Sequence, residues 1–220
     1  MLANKISSVY WGSNSIIFDM DGTLIDSSFA MTQSVNHVQN TLGLEPINQK
    51  ALEYYINQPD QHFPVILYES IEYKPEHREL FREHYMKHSV ESIALYPDVK
   101  EMLAFLSQKA HLAIATNASD FFARHMLEHL QILDYFDAIV GGNNVDELKP
   151  NPQMIESLME SLESKRERTF LVGDSLKDER AALNAKIGFI FAKWGYGKSD
   201  TATIRMSSVK ELESFFKAFI

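Results

Sequence analysis

Short apolar runs alternate along this chain with longer stretches in which apolar residues recur every three or four positions. Residues 15–19, Ser-Ile-Ile-Phe-Asp, form a brief β-branched run followed by Gly22, the pattern of a buried strand. Asp26 or Ser27 then stands where a helix cap belongs. Met31, Val35, Val38 and Leu42 recur at helical steps up to Gly43, which suits the C′ position. Residues 44–94 are rich in Tyr, His, Gln and Glu and show helical fragments only, with Pro75 placed as a first helical residue and Phe81 and Tyr85 as a helical pair.

From Tyr96 onward the two periods alternate regularly. Apolar runs at 111–116, 138–140, 169–172 and 188–191 predict strands. The helices between them carry the faces Val99, Leu103, Leu106, then Phe122, Met126, Leu130, then Ile155, Leu158, Leu162. Ser119 or Asp120 caps the second of these helices and Pro152 starts the third. Leu183 and Ile187 belong to or flank the next helix. Ser208 and Glu211 make a capping box for a last helix with Leu212, Phe215 and Phe216 on its apolar face. Strand and helix repeated through short links predict an α/β fold: a Rossmann-like three-layer core with a central, mostly parallel sheet. Residues 27–94 then read as an inserted all-helical cap, leaving 1–26 and 95–220 as the core. The links near Asp26 and Tyr96 lie at one edge of the sheet, so the cap is expected to move as a lid.

Composition narrows the picture. With 220 residues and 45% apolar side chains the chain can bury one good core. Thirty acidic against 21 basic residues give a net charge of −9, which disfavours nucleic acid as a partner. The absence of cysteine excludes disulfides, zinc thiolates and thiol catalysis. No apolar run is long enough for a membrane span, and residues 1–18 lack a signal-peptide pattern, so the cytoplasm is the expected location. Nothing in the pattern sets an oligomeric state.

Parallel crossovers bring all strand C-terminal ends to one edge, and the polar residues gather there. Asp19 and Asp21 end the first strand. Two carboxylates at a buried strand tip are costly unless a cation compensates them, and a spacing of two puts both on one side while Met20 points away. Thr116 and Asn117 follow the second strand, a hydroxyl and an amide suited to an anion. Lys149 precedes Pro150 in a loop. Gly173-Asp174-Ser175-Leu176-Lys177-Asp178 follows the strand at 169–172 and adds hard oxygen donors that suit magnesium. The alternative for each segment is ordinary helix capping or a solvated charge.

These four segments, in this order, resemble the motifs of the haloacid dehalogenase superfamily of phosphohydrolases. Asp19-Met20-Asp21-Gly22-Thr23-Leu24 matches the first, Thr116-Asn117 the second, Lys149-Pro150 the third, and Gly173-Asp174-Ser175 with Asp178 the fourth. The insert and the Trp194-Gly195-Tyr196-Gly197 loop resemble the phosphoglycolate phosphatase-like branch with its small helical cap. Asp98 stands where that branch often carries glycine. The resemblance implies Asp19 as nucleophile and metal ligand, Met20 as a backbone-carbonyl ligand, and Asp21 as general acid and then base. Thr116 and Asn117 would bind phosphate, and Lys149 would position the phosphoryl group. Asp174 would complete the Mg²⁺ site, with Asp178 as ligand or outer anchor. The implied partner is a small phosphorylated metabolite such as phosphoglycolate or a sugar or nucleotide phosphate. The weighed alternatives are a phosphomutase of the β-phosphoglucomutase type, a dehalogenase, against which Asp21 argues, and a non-catalytic binding protein. His62, His77, His84 and His88 hint at an anion-friendly cap surface.

Overall fold

The computed structural model describes residues 14–58, 61–199 and 201–219. Residues 1–13, which the sequence assigns to the core and reads as lacking a signal peptide, lie outside the described residues. Six parallel strands form one sheet: β1 (Ser15–Phe18), β4 (His111–Ala115), β5 (Ala138–Val140), β6 (Thr169–Gly173), β7 (Gly188–Ala192) and β8 (Ile204–Met206), in the order β5-β4-β1-β6-β7-β8. The central strand β1 pairs Ser15 with His111 on one side and with Thr169 on the other. The edge strand β8, only three residues long, was not anticipated.

Side chains of β1 alternate between two cores, which is why its apolar run is unbroken. Ile16 and Phe18 join α5 (Val99–Leu106), α6 (Asp120–His129) and α9 (Val209–Phe219) on one face. Ile17 joins α7 (Gln153–Ser161) and α8 (Leu176–Ala185) on the other. Ile16, Ile17 and Phe18 are fully buried, and each contributes about 1.5–3 kcal/mol through lost apolar surface. The three layers therefore follow directly from the period of the first strand. Asp98, just before α5, has φ 67°; the left-handed region favours glycine and tolerates aspartate, which accounts for the one departure from the family pattern.

Between β1 and α5 lie four helices: α1 (Ser28–Thr41), α2 (Gln49–Asn57), α3 (Phe63–Tyr68) and α4 (Pro75–His88). They share a small core of Val35, Val38, Leu52, Leu67 and Tyr68. Gly43, at φ 72°, ends α1 as expected. The links to the core are tied into a ribbon, β2 (Ile25–Asp26) pairing antiparallel with β3 (Ala94–Leu95), so the insert is helical except at its very end. Of the four histidines, only His77 lines the cleft beneath these helices. His84 instead bonds Ser34 Oγ through Nδ1 at 2.9 Å, stacks on His37 at 4.4 Å and lies tilted against His88 at 4.6 Å. No described helix is long and apolar enough to cross a membrane.

Candidate active site

The site lies at the C-terminal ends of β4, β1 and β6, the three strands at the middle of the sheet. Asp19 continues β1 by donating its N–H to Val172 O at 2.9 Å, and Thr116 continues β4 by donating to Val140 O at 3.1 Å. After β1 the chain turns sharply through Gly22, at φ 83°, where an added Cβ would lie 2.5 Å from Asp174 Oδ2. Only glycine meets both demands.

Asp19, Asp174 and Asp178 are all buried, and one oxygen from each lies within 4.8 Å of the others. Lys149 holds two of them. Its Nζ donates to Asp19 Oδ1 at 2.7 Å, to Asp178 Oδ1 at 2.6 Å and to Ala115 O at 2.6 Å, which uses all three ammonium protons. Burial alone pushes Lys149 down, but the charges of Asp178 and Asp19 outweigh it and hold the ammonium firmly protonated. Burial raises Asp19 well above the usual carboxylate range; Lys149 opposes this and the neighbouring Asp178 and Asp174 reinforce it. Asp174 is pushed up to about 7 by burial and by Asp178.

Asp174 is fixed from one side only. Its Oδ2 accepts from the backbone N–H groups of Tyr196 at 2.7 Å and Gly197 at 3.1 Å. Its Oδ1 is buried without any donor. A buried carboxylate oxygen with no partner, beside two more carboxylates, is a position for a cation. Hard oxygens and no nitrogen or sulfur suit a divalent ion of the magnesium or calcium kind.

Asp21 stands apart from that trio. Ser27, itself fully buried, donates its hydroxyl to Asp21 Oδ1. Burial raises Asp21, and the Ser27 bond and Lys149 only partly offset it, so this carboxyl keeps its proton to higher pH than a free one. Tyr85 lines the same cleft, and burial, with the Asp21 charge adding to it, raises its phenol.

Asn117 clamps the Lys149 loop in both directions: its Nδ2 donates to Lys149 O at 3.0 Å and its Oδ1 accepts from Lys149 N at 2.9 Å. Thr116 Oγ1 accepts from Ala118 N at 3.1 Å. Both residues line the cleft, which has a volume of about 960 Å³ and is roofed by the helices of the insert. The Met20 carbonyl, expected as a metal ligand, lies in the turn after β1. It accepts from the N–H groups of Thr23, Leu24 and Ile25, at 3.3, 2.9 and 3.1 Å, and so closes the turn. The Asp21 carbonyl takes no part in those bonds.

Four participants had no role in the sequence reading. Ser27, expected only as a helix cap, holds Asp21, and Ser175 Oγ donates to Asp178 Oδ2. Tyr196 OH accepts from Ser27 N at 2.8 Å, linking the loop after β7 to the first turn. Lys177 Nζ donates to Ile56 O at 2.6 Å, joining the core to the C-terminal end of α2. The GDSLKD spacing contained Lys177, but its partner lies 121 residues away.

The family profile described as haloacid dehalogenase-like hydrolase matches residues 16–192. A phosphoglycolate phosphatase of Aquifex aeolicus is 33% identical over 193 residues, covering 83% of this chain and 86% of its own length. One from Vibrio vulnificus is 32% identical over 195 residues, covering 84% and 86%. Among solved structures, a haloacid dehalogenase-like family hydrolase from Streptococcus pneumoniae superposes with TM-score 0.79 at 22% identity, over 93% of this chain and 99% of that one. A protein described as a predicted phosphatase from Clostridium acetobutylicum gives TM-score 0.81 at 25% identity, over 94% and 99%.

Proposed function

The chain belongs to the haloacid dehalogenase-like hydrolases, and from that premise we propose a magnesium-dependent phosphatase that hydrolyses small-molecule phosphomonoesters through a phosphorylated Asp19. The observation that carries this reading is the buried Asp19, Asp174, Asp178 trio with Lys149 between two of its members and Asp174 Oδ1 left without a donor. Asp19, Asp174 and Asp178 would hold Mg²⁺, which supplies the positive charge that lets a dianionic phosphate enter and its transferring oxygens be stabilised. The charge balance asks for it: Asp19, Asp21, Asp174 and Asp178 bring −4 when ionised and Lys149 returns +1. The Met20 carbonyl is engaged in the turn and is not retained as a ligand; the Asp21 carbonyl is the main-chain oxygen we assign in its place.

Asp19 attacks phosphorus in line and becomes the aspartyl phosphate. Lys149, bonded to its carboxylate, fixes the rotation of that carboxylate and offsets charge beside the incoming phosphate. Asp21, kept protonated by burial, donates its proton to the leaving-group oxygen. The same carboxylate then takes a proton from the water that hydrolyses the intermediate, and Ser27 keeps it aimed. Thr116 offers its hydroxyl to a phosphoryl oxygen, and Asn117 acts by holding the Lys149 loop in register with the tip of β4. Residues 27–94 form a cap over the cleft, hinged at the β2–β3 ribbon. A cytoplasmic setting accords with this chemistry.

Phosphoglycolate, the substrate in the relatives' names, stands among the candidates with sugar and nucleotide monophosphates. The test is hydrolysis of 4-nitrophenyl phosphate by wild type and Asp19→Asn, with and without Mg²⁺ after chelation. Wild type should need the metal and Asp19→Asn should be inactive while melting like wild type. Full activity in metal-free protein, or turnover by Asp19→Asn, would end the proposal.

A further inference from the structure

Helix α4 carries a stripe that the chemistry at Asp19 does not use. Arg78, Phe81, Arg82 and Tyr85 share one helical face by their spacing, and all four line the cleft. The stripe starts at the catalytic end, where Tyr85 packs in the core cluster with Phe18, Met20 and Leu24, the residues that flank Asp19 and Asp21. Phe81 stacks on Tyr85 with centroids 5.2 Å apart. Beyond it, Arg82 lies over the Phe121 ring at 5.5 Å and Arg78 over the Tyr73 ring at 4.9 Å. The wall thus runs from the leaving-group side of Asp21, past two aromatic rings, to two guanidinium groups. Next to Arg78, His77 is 3% exposed and also lines the cleft, and its Nδ1 has no partner.

Both arginines are exposed where they line the cleft, and neither is held by a strong ion pair. The chain has 30 acidic residues against 21 basic ones, yet among the described residues no carboxylate pairs with Arg78. Arg82 meets Glu79 at 3.9 Å with both side chains more than half exposed, a contact worth little. Each guanidinium is held on a ring, which fixes the planar fork and leaves its N–H donors for a carboxylate or phosphate. An unpartnered imidazole nitrogen buried beside them adds a further polar group to the same wall.

We propose that the preferred substrate carries a second anionic group, carboxylate or phosphate, at the far end of its leaving group, and that Arg78 and Arg82 bind it. This rests on the phosphomonoesterase reading above. The helix sets the length. Seven residues of α-helix advance about 10 Å, so an anion at Arg78 lies about two turns from Tyr85. The carboxylate of phosphoglycolate is separated from the ester oxygen by a single methylene. It would face Tyr85 and Phe81, the end of the stripe that packs against the core cluster around Phe18 and Met20. The cleft, at about 960 Å³, lies at the upper end of small-ligand sites and is far larger than a two-carbon acid requires.

The experiment uses straight-chain phosphomonoesters of increasing methylene count, ending in a carboxylate, in the carboxamide of equal size, or in a second phosphate. The readout is the ratio of kcat/KM for the charged over the uncharged terminus at each length, in Mg²⁺. The ratio should stay near one for a single methylene and climb to about tenfold or more where the chain reaches the arginines. The Arg78→Gln, Arg82→Gln double variant should flatten it, and the carboxylate and phosphate arms identify which anion the fork prefers. A ratio highest at one methylene, or one untouched by the double variant, overturns the inference. Turnover of 4-nitrophenyl phosphate by wild type, lost in Asp19→Asn, keeps the two readings apart: with it, a flat ratio defeats this inference alone, and without it both fall.

Discussion

Lys149→Met keeps an unbranched apolar stem of similar reach and removes the ammonium, so it probes chiefly the electrostatics of the site. The lysine side chain is 2% exposed and bonds Asp19 and Asp178 at 2.7 and 2.6 Å. Two charge-assisted hydrogen bonds at about 1.5–3 kcal/mol each amount to roughly 3–6 kcal/mol. Removing one partner of a buried ion pair costs about 3–5 kcal/mol by a separate route, so about 4 kcal/mol is the working figure. For a chain of this size that is a melting temperature lower by about 10 °C. The deficit must depend on pH. Burial and neighbouring carboxylates already raise Asp19 and Asp174, the latter to about 7 even with Lys149 pulling both down. Without the lysine the folded carboxylates keep their protons to higher pH, whereas the unfolded ones release them near about 4. The folded state then binds more protons than the unfolded state across that window, so stability falls as pH rises through it. Calorimetry in chelator should show a small deficit at about pH 5 and the full one at about pH 8, where the carboxylates would otherwise ionise. Added Mg²⁺ should recover more in the variant than in wild type. A melting temperature within about 2 °C of wild type at the higher pH, or an equal deficit at both, would refute the assignment of Lys149 as the charge that holds this cluster together.

Asp21→Asn should slow an alkyl phosphate by about 10²–10⁴-fold and an activated aryl phosphate much less. Rapid quench with radiolabelled substrate should then find the label accumulating on Asp19, and label on any other residue contradicts the scheme. Asp98→Gly should stabilise by roughly 0.5–1 kcal/mol, because φ 67° strains a non-glycine residue and the Lys210 contact at 3.4 Å is exposed; urea titration showing a loss would count against it. Burial, helped by His37 and His88, lowers His84, so the unfolded state binds more protons just below about pH 6.5 and stability declines as pH falls through that window. His84→Gln should make the melting temperature less sensitive to acid between about pH 7 and 5, and an unchanged slope rejects the stack as a source of acid lability. Lys177→Gln removes the bond to Ile56 O and should speed hydrogen exchange across residues 49–57, a change that mass spectrometry would miss only if the contact held nothing.

What could be read without coordinates was whatever two constraints fixed at once. Asp19, Thr116 and Asp174 each follow an apolar run, and parallel crossovers then bring strand tips together. Lys149 was legible only through its motif, since no local pattern says that a loop lysine will reach Asp19. The Met20 carbonyl is expected as a metal ligand, but the partners of a main-chain oxygen depend on how the turn closes, and here three successive N–H groups close on it. Ser27 was read as a helix cap, although it makes no side-chain cap bond and its hydroxyl turns to Asp21 instead. The strand Ile204–Met206 left no signal because three residues at a sheet edge carry no period. Arg78 and Arg82 had a signal, the spacing to Phe81 and Tyr85, but polar residues on a helix normally mark its solvated side.

The position of β1 has a consequence for how the molecule acquires its activity. It is the first described strand, yet it sits in the middle of the sheet, and its neighbours begin at His111 and Thr169. The Lys149–Asp19 bond closes a loop of 130 residues. A chain emerging from the ribosome therefore exposes its first apolar strand long before either flank exists, and must hold it unpaired while the whole insert is made. Contacts of such long sequence separation form slowly because loop closure is costly. On refolding from denaturant, the helical signal of α1–α4 should return before the sheet is complete, with phosphatase activity the last property regained.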